Sequence, residues 1–310
     1  MTGAPLGGAL RLTFGAPGLW AVGLAGFLAR GGIVVFALPI VVLPSVVGLI
    51  TFIGPNSVTA AGLAPRFVAL VAIVTAGLVA WIVVATIVAA ATDRALVGAV
   101  VREPAGGSLP AVRNPGLTTL FVIRLASLVP FALGVALGGV RLGQVGYQEL
   151  ILPSNGSSHF VIRVLQGAPE VVALLLVTWL VTELIGAIAV RLAIVEGRTA
   201  AGSLGRSPAW IVRRPLRSLV VVAGTVIGSI LVLAPAVIVA GTAWDVVRTA
   251  LLGDAGPFVD VVAVVLFVAV WTIALVLAGI VATWRSAAWS LAVVGDHRGG
   301  GPMDRGDGTL

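Results

Sequence analysis

Long apolar runs separated by short arginine-bearing segments dominate this chain, and the length of the runs decides what they are. A helix rising 1.5 Å per residue needs about 20 residues to cross roughly 30 Å of hydrocarbon. Phe67 to Thr92, Ser218 to Trp244 and Val261 to Trp284 contain no Arg, Asp or Glu and meet that length outright. Three further runs read as spans despite an interruption. Gly31 to Phe52 carries Pro39 and Pro44, each of which removes a helix donor that neighbours or water must compensate. Gly116 to Val140 is long enough with Arg124 counted inside it, and Val171 to Val190 holds Glu183. The pattern predicts an all-α integral membrane protein with six transmembrane helices.

Composition agrees. Of 310 residues, 59% are hydrophobic and 10% charged, against roughly 25% charged in soluble domains. Too few polar side chains exist to cover a water-facing surface, which excludes a soluble fold, a disordered chain and a nucleic-acid-binding domain. All 19 basic residues are arginines, a bias that fits a G+C-rich prokaryotic genome. The net charge of +7 is mainly a topology signal. With the N-terminus inside, thirteen arginines fall in inner segments and four (Arg66, Arg141, Arg163, Arg248) in outer loops. Both termini are therefore expected in the cytoplasm of a prokaryotic plasma membrane, where the same arginines attract anionic phospholipid headgroups. Arg11 and the stretch Leu19 to Ala29 imitate the start of a signal peptide, but no small-x-small site follows.

A landmark order recurs three times. Phe14-Gly15-Ala16-Pro17, Arg113-Asn114-Pro115 and Arg213-Arg214-Pro215 each precede an odd-numbered span. Pro65, Pro169 and Pro257 precede the even ones, which close on Ala91-Thr92-Asp93-Arg94, Ala189-Val190-Arg191 and Ala282-Thr283-Trp284-Arg285. Proline suits a first helical turn because its missing donor would be unbonded there anyway. The expected organisation is one membrane domain over residues 1–295, built as three hairpins (about 1–103, 104–200 and 201–295), with a disordered tail over 296–310. Ala209-Trp210-Ile211-Val212-Arg213-Arg214 is expected to lie in the cytoplasmic interface as a short helix, Trp210 toward lipid and the arginines toward headgroups. With the entries Gly107-Ser108-Leu109 and Gly202-Ser203-Leu204, the Ala209-Trp210 pair and Arg213-Arg214-Pro215, the chain resembles prokaryotic six-span families of repeated hairpins. The membrane domain attached to some glycerophosphodiester phosphodiesterases is similar. The resemblance implies a fold and carries no activity, since that enzyme's acidic and histidine-rich metal site has no match here.

The chemistry-bearing positions are few. Glu183 is an acid within a span and needs a partner or a water-filled cavity; Arg124 is its expected partner across the hairpin, either as a structural clamp or as a proton or cation site. Arg30 finds no acid in span two and is expected to snorkel to the inner interface or to hold a lipid phosphate. Arg206, Arg213, Arg214 and Arg217 form an interfacial basic cluster. Gly134-x-x-x-Gly138 and Gly224-x-x-x-Gly228 fit close helix packing. Of the tryptophans, Trp210 and Trp289 fall near interfaces, whereas Trp81, Trp179 and Trp271 are expected to pack. There is no cysteine, and the only histidines are His159 and His297, so thiolate chemistry, a histidine metal site and a Ser-His-acid triad lack their parts. No enzyme activity, cofactor or metal is expected. The reading is a non-catalytic membrane scaffold whose partners are the bilayer, with its anionic headgroups, and an unidentified protein. The alternative is a small transporter using Glu183 and Arg124, with Pro39, Pro44, Pro130 and Pro235 lining a cavity.

Overall fold

Apolar side chains in 3.6-residue register over long stretches leave helix as the only backbone state that satisfies its own hydrogen bonds in hydrocarbon, and the structure follows that rule. It is a computed structural model that describes residues 4–37, 40, 58–59, 62–102, 115–152, 154, 160–253 and 256–299. The helices are α1 (Ala4–Gly15), α2 (Gly18–Phe27), a π-helical turn (Leu28–Gly32), α3 (Ile33–Ala37), α4 (Pro65–Arg102), α5 (Leu117–Ser127), α6 (Val129–Ile151), α7 (Phe160–Gly167), α8 (Pro169–Glu196), α9 (Ala200–Arg213), α10 (Pro215–Leu252) and α11 (Pro257–Gly299). Two short strands, Val58–Thr59 and Gly62–Leu63, pair antiparallel.

Six stretches are long and apolar enough to cross a membrane: Gly18–Ala37, Pro65–Arg102, Leu117–Glu149, Pro169–Glu196, Pro215–Leu252 and Pro257–Gly295. Their large apolar side chains face outward, among them Ile73 (70% exposed), Leu137 (72%) and Leu231 (69%). Apolar surface on that scale, on helices of spanning length, is surface for a bilayer. The chain is a multi-pass helical membrane protein.

Several boundaries depart from expectation. The first span starts at Gly18, ahead of the expected Gly31, and is described to Ala37; residues 38–39 and 41–52 lie outside the described residues. Arg30, expected within a span, lies inside it, and its charge is compensated by Asp93. α6 runs on to Ile151, and α7 occupies part of the outer segment read as Arg141 to Glu170. α11 reaches Gly299, so the first residues of the expected tail are helical, and 300–310 lie outside the described residues.

By packing, the chain divides into two units: Met1–Val41, Ala85–Arg124 and Ile185–Leu310; and Val42–Val84 with Leu125–Leu184. In the first, α11 is central and packs on α10, α2 and α1. Its core gathers Val97, Leu120, Ile123, Val190 and Ile194, with Leu204 of α9 packed against it. A second cluster joins Phe36 to Ala274 and Ala278, and Phe36 meets Phe27 and Trp271 edge to face at 6.1 and 5.5 Å. Trp271 packs as expected. Trp210 and Trp289 are buried at 9% and 2% exposure, so Trp210 faces protein and not lipid, while Trp81 and Trp179 are exposed.

The second unit is built around Val145, Ala168 and Val171. Here Gly134 and Gly138 admit Thr178 and Val171, whose side chains stand 2.5 Å from where a Cβ would lie. Glu149 closes the α6 end by accepting from the Ser154 amide at 3.0 Å and from Arg163 Nε at 2.9 Å.

Candidate functional site

The buried face of α4 repeats at helical spacing: Thr86, Ala89, Ala90, Asp93, Leu96, Val97 and Val101. Asp93 thus takes a core position on an amphipathic pattern, and its residue exposure is 0%. A carboxylate there is tolerated only with close positive partners. Two arginines from neighbouring elements meet it. Arg124, on the α5 face that buries Leu120 and Ile123, donates from Nε to Asp93 Oδ2 at 2.6 Å, and its Nη2 lies 2.5 Å from the same oxygen. Arg30 donates from Nη2 to Oδ1. The carboxylate therefore has a separate guanidinium on each oxygen, linking the first, second and third spans.

Arg30 sits where the first span breaks. Arg30 has φ −84° and ψ 20°, and Gly31 has φ 97°, a left-handed conformation that a side chain would strain. The π-helical turn releases the helix from its regular register at the residue that carries the charge to Asp93. The Arg30 side chain stays one-third exposed, while those of Arg124 and Asp93 are 9% and 1% exposed.

Arg191, on α8, adds a third positive charge that acts on Asp93. Arg191 is 3% exposed as a residue, and its guanidinium is engaged with α11 and its own helix. Nη2 donates to the Ser286 carbonyl at 3.0 Å and lies 3.2 Å from Ser286 Oγ, Nε lies 3.2 Å from Ser290 Oγ, and Nη1 donates to Ala187 O at 2.6 Å. A planar fork with five donors makes that set possible; a lysine ammonium does not span it. Arg191→Lys is expected to cost about 1–3 kcal/mol of stability for the buried acceptors left without a donor, read as a lower thermal midpoint of the detergent-solubilised protein. An unchanged midpoint would show that the fork contributes nothing to joining α8 and α11.

Of the residues singled out by sequence, the structure brings Arg30 and Arg124 together through Asp93. Arg30 is thereby corrected, because it has an acidic partner on α4. Glu183 belongs to the second unit and is half-buried there. The basic cluster lies along α9 and the start of α10: Arg206, Arg213 and Arg214 are exposed and Arg217 half-buried. α9 starts at Thr199, whose side chain caps the Gly202 amide, and buries Ser203, Ser207 and Trp210 on one face. Pro130 opens α6 and Pro235 lies within α10; Pro39 and Pro44 fall outside the described residues, as does His159. Sequence reasoning missed Asp93 and Arg191. The signal for both was the inward register of α4 and α8, which continues past the point where an unbroken apolar run stops.

Among the described residues no group of three or more His, Asp or Glu side chains stands together as a metal site. No family model, curated protein or solved structure matches the chain.

Proposed function

We propose that this chain is a non-catalytic membrane scaffold that engages lipids and a protein partner in a prokaryotic plasma membrane. One observation carries the reading: Asp93, Arg30, Arg124 and Arg191 are engaged with one another, with serines and with backbone carbonyls, binding helices of the first unit to each other. Such a network is a clamp. Asp93 lies about 39 Å along α4 from Phe67 and so about 9 Å beyond a hydrocarbon layer of about 30 Å, at the inner headgroup level.

The scaffold has both termini in the cytoplasm and is organised as three hairpins. That Pro65, Pro169 and Pro257 are the first residues of α4, α8 and α11, and that Pro215 opens α10, supports the repeat. α1 and α9 are the interfacial helices on the cytoplasmic side. α9 turns its buried face to protein and presents Arg206 and Arg213 outward, where anionic headgroups would meet them.

A second reading, a small transporter with Arg124 and Glu183 in its polar path, is favoured by the broken first span, since discontinuous helices line the sites of many transporters. Proteoliposome flux separates the two. The scaffold gives no pH-dependent proton or cation flux above protein-free vesicles. Flux that disappears in Glu183→Gln or Asp93→Asn at undiminished folded yield would replace it with the transporter.

A further inference from the structure

Next to the clamp, on the opposite side of α4, lies a feature with a different chemistry. Arg94 and Arg102 are exposed, and neither forms an ion pair among the described residues. With Ala91, Ala95, Gly98 and Ala99 of the same helix they line an open-sided groove of about 390 Å³; Gly98 itself is buried. The two Cα positions are about 12 Å apart along the helix, within reach of two arginine side chains closing on one anion. Arg102 also lines a second cavity of about 310 Å³, walled by Leu12, Leu19, Leu96, Val100 and Ala287 from α1, α2, α4 and α11. A paired cationic mouth that opens beside an apolar chamber is complementary to an amphiphile with an anionic head.

We infer that this is a specific anionic-phospholipid site: the headgroup phosphate is held between Arg94 and Arg102, and the adjoining part of an acyl chain enters the apolar cavity. This rests on the lipid-engaging reading above and gives it a location. Guanidinium forks suit phosphate oxygens, and the apolar chamber selects a lipid over free phosphate. Arg94 stands about 40 Å from Phe67 along α4, at headgroup depth on the arginine-rich side.

Native mass spectrometry of the full chain in detergent, titrated with phosphatidylglycerol or phosphatidylcholine, tests it. The wild type is expected to retain phosphatidylglycerol in preference. Arg94→Ala with Arg102→Ala weakens that retention roughly 30-fold, about fivefold for each arginine near a headgroup, with an unchanged thermal midpoint because both side chains are exposed. Val100→Trp weakens it with both arginines in place, and millimolar inorganic phosphate does not displace the lipid. Should the double variant unfold, Arg94→Lys with Arg102→Lys takes its place and is expected to keep the preference at reduced affinity. Wild-type retention in the double variant, or in Val100→Trp, overturns the site. So does full displacement by inorganic phosphate, which would mark a free-anion site. If retention is lost instead in Arg206→Ala with Arg213→Ala, lipid engagement stands and only this location fails; no preference in the wild type removes both.

Discussion

Asp93→Asn is expected to destabilise the protein by about 3–5 kcal/mol, the cost of stranding a buried charge whose partner is removed. The amide keeps the shape of the carboxylate but not its charge. Arg30 and Arg124 then face a neutral group within a core where Arg191 already adds positive potential. Folded yield and detergent thermal midpoint should both fall sharply. Arg124→Ala should follow closely, because it strips Asp93 Oδ2 of both nitrogen contacts. Arg30→Ala should cost less, since the Arg30 side chain is one-third exposed and water can replace it. Replacing all three with apolar residues of similar size (Arg30→Met, Asp93→Leu, Arg124→Met) should recover most of the loss, as buried ion networks often exchange for hydrophobic packing at little net change. A normal midpoint in Asp93→Asn alone would mean that the carboxylate is not holding the helices, and the clamp reading would fail.

The spans were legible in the chain because hydrocarbon thickness imposes a length, and length survives without tertiary information. The helix-opening prolines at 65, 169, 215 and 257 were legible for an equally local reason, the missing N–H. What was not legible is where a charge can be tolerated. A charge-free run ends at Thr92, yet α4 continues through Asp93 to Arg102, because Asp93 and Arg30 compensate each other. The inward spacing of Thr86, Ala89, Ala90 and Asp93 was present in the sequence, but only the fold sets Arg30 and Arg124 opposite it. Trp210 misled for a related reason. Its place beside Arg213 and Arg214 looks interfacial, whereas the α9 face it shares with Ser203 and Ser207 is covered by protein.

Helix crossing supplies the other large effect. The Gly-x-x-x-Gly pairs singled out by sequence do pack: Gly224 and Gly228 receive Leu6 and the Trp284 ring, with side-chain atoms 2.8 and 2.6 Å from a notional Cβ. Those neighbours are ends of side chains and can yield. At the crossing of α2 with α11 the neighbours include backbone. A Cβ on Gly23 would stand 2.6 Å from the Gly279 carbonyl oxygen and 2.2 Å from Thr283 Oγ1; one on Gly279 would stand 2.5 Å from the Trp20 carbonyl oxygen. Thr283 Oγ1 also donates to Leu19 O at 3.0 Å, and Trp284 Nε1 donates to Leu6 O at 3.2 Å, so the same stretch of α11 is bound to both N-terminal helices. Gly23→Ala and Gly279→Ala are therefore each expected to cost about 3 kcal/mol, the upper end for overpacking, because relief requires moving a whole helix. Gly77→Ala and Gly139→Ala, where an added Cβ meets nothing within 4 Å, should instead be neutral or gain up to about 1 kcal/mol from helix propensity. Thermal midpoints of the four variants, measured side by side in one detergent, check the contrast. Equal midpoints across the set would show that α2 and α11 do not cross this closely in the folded protein.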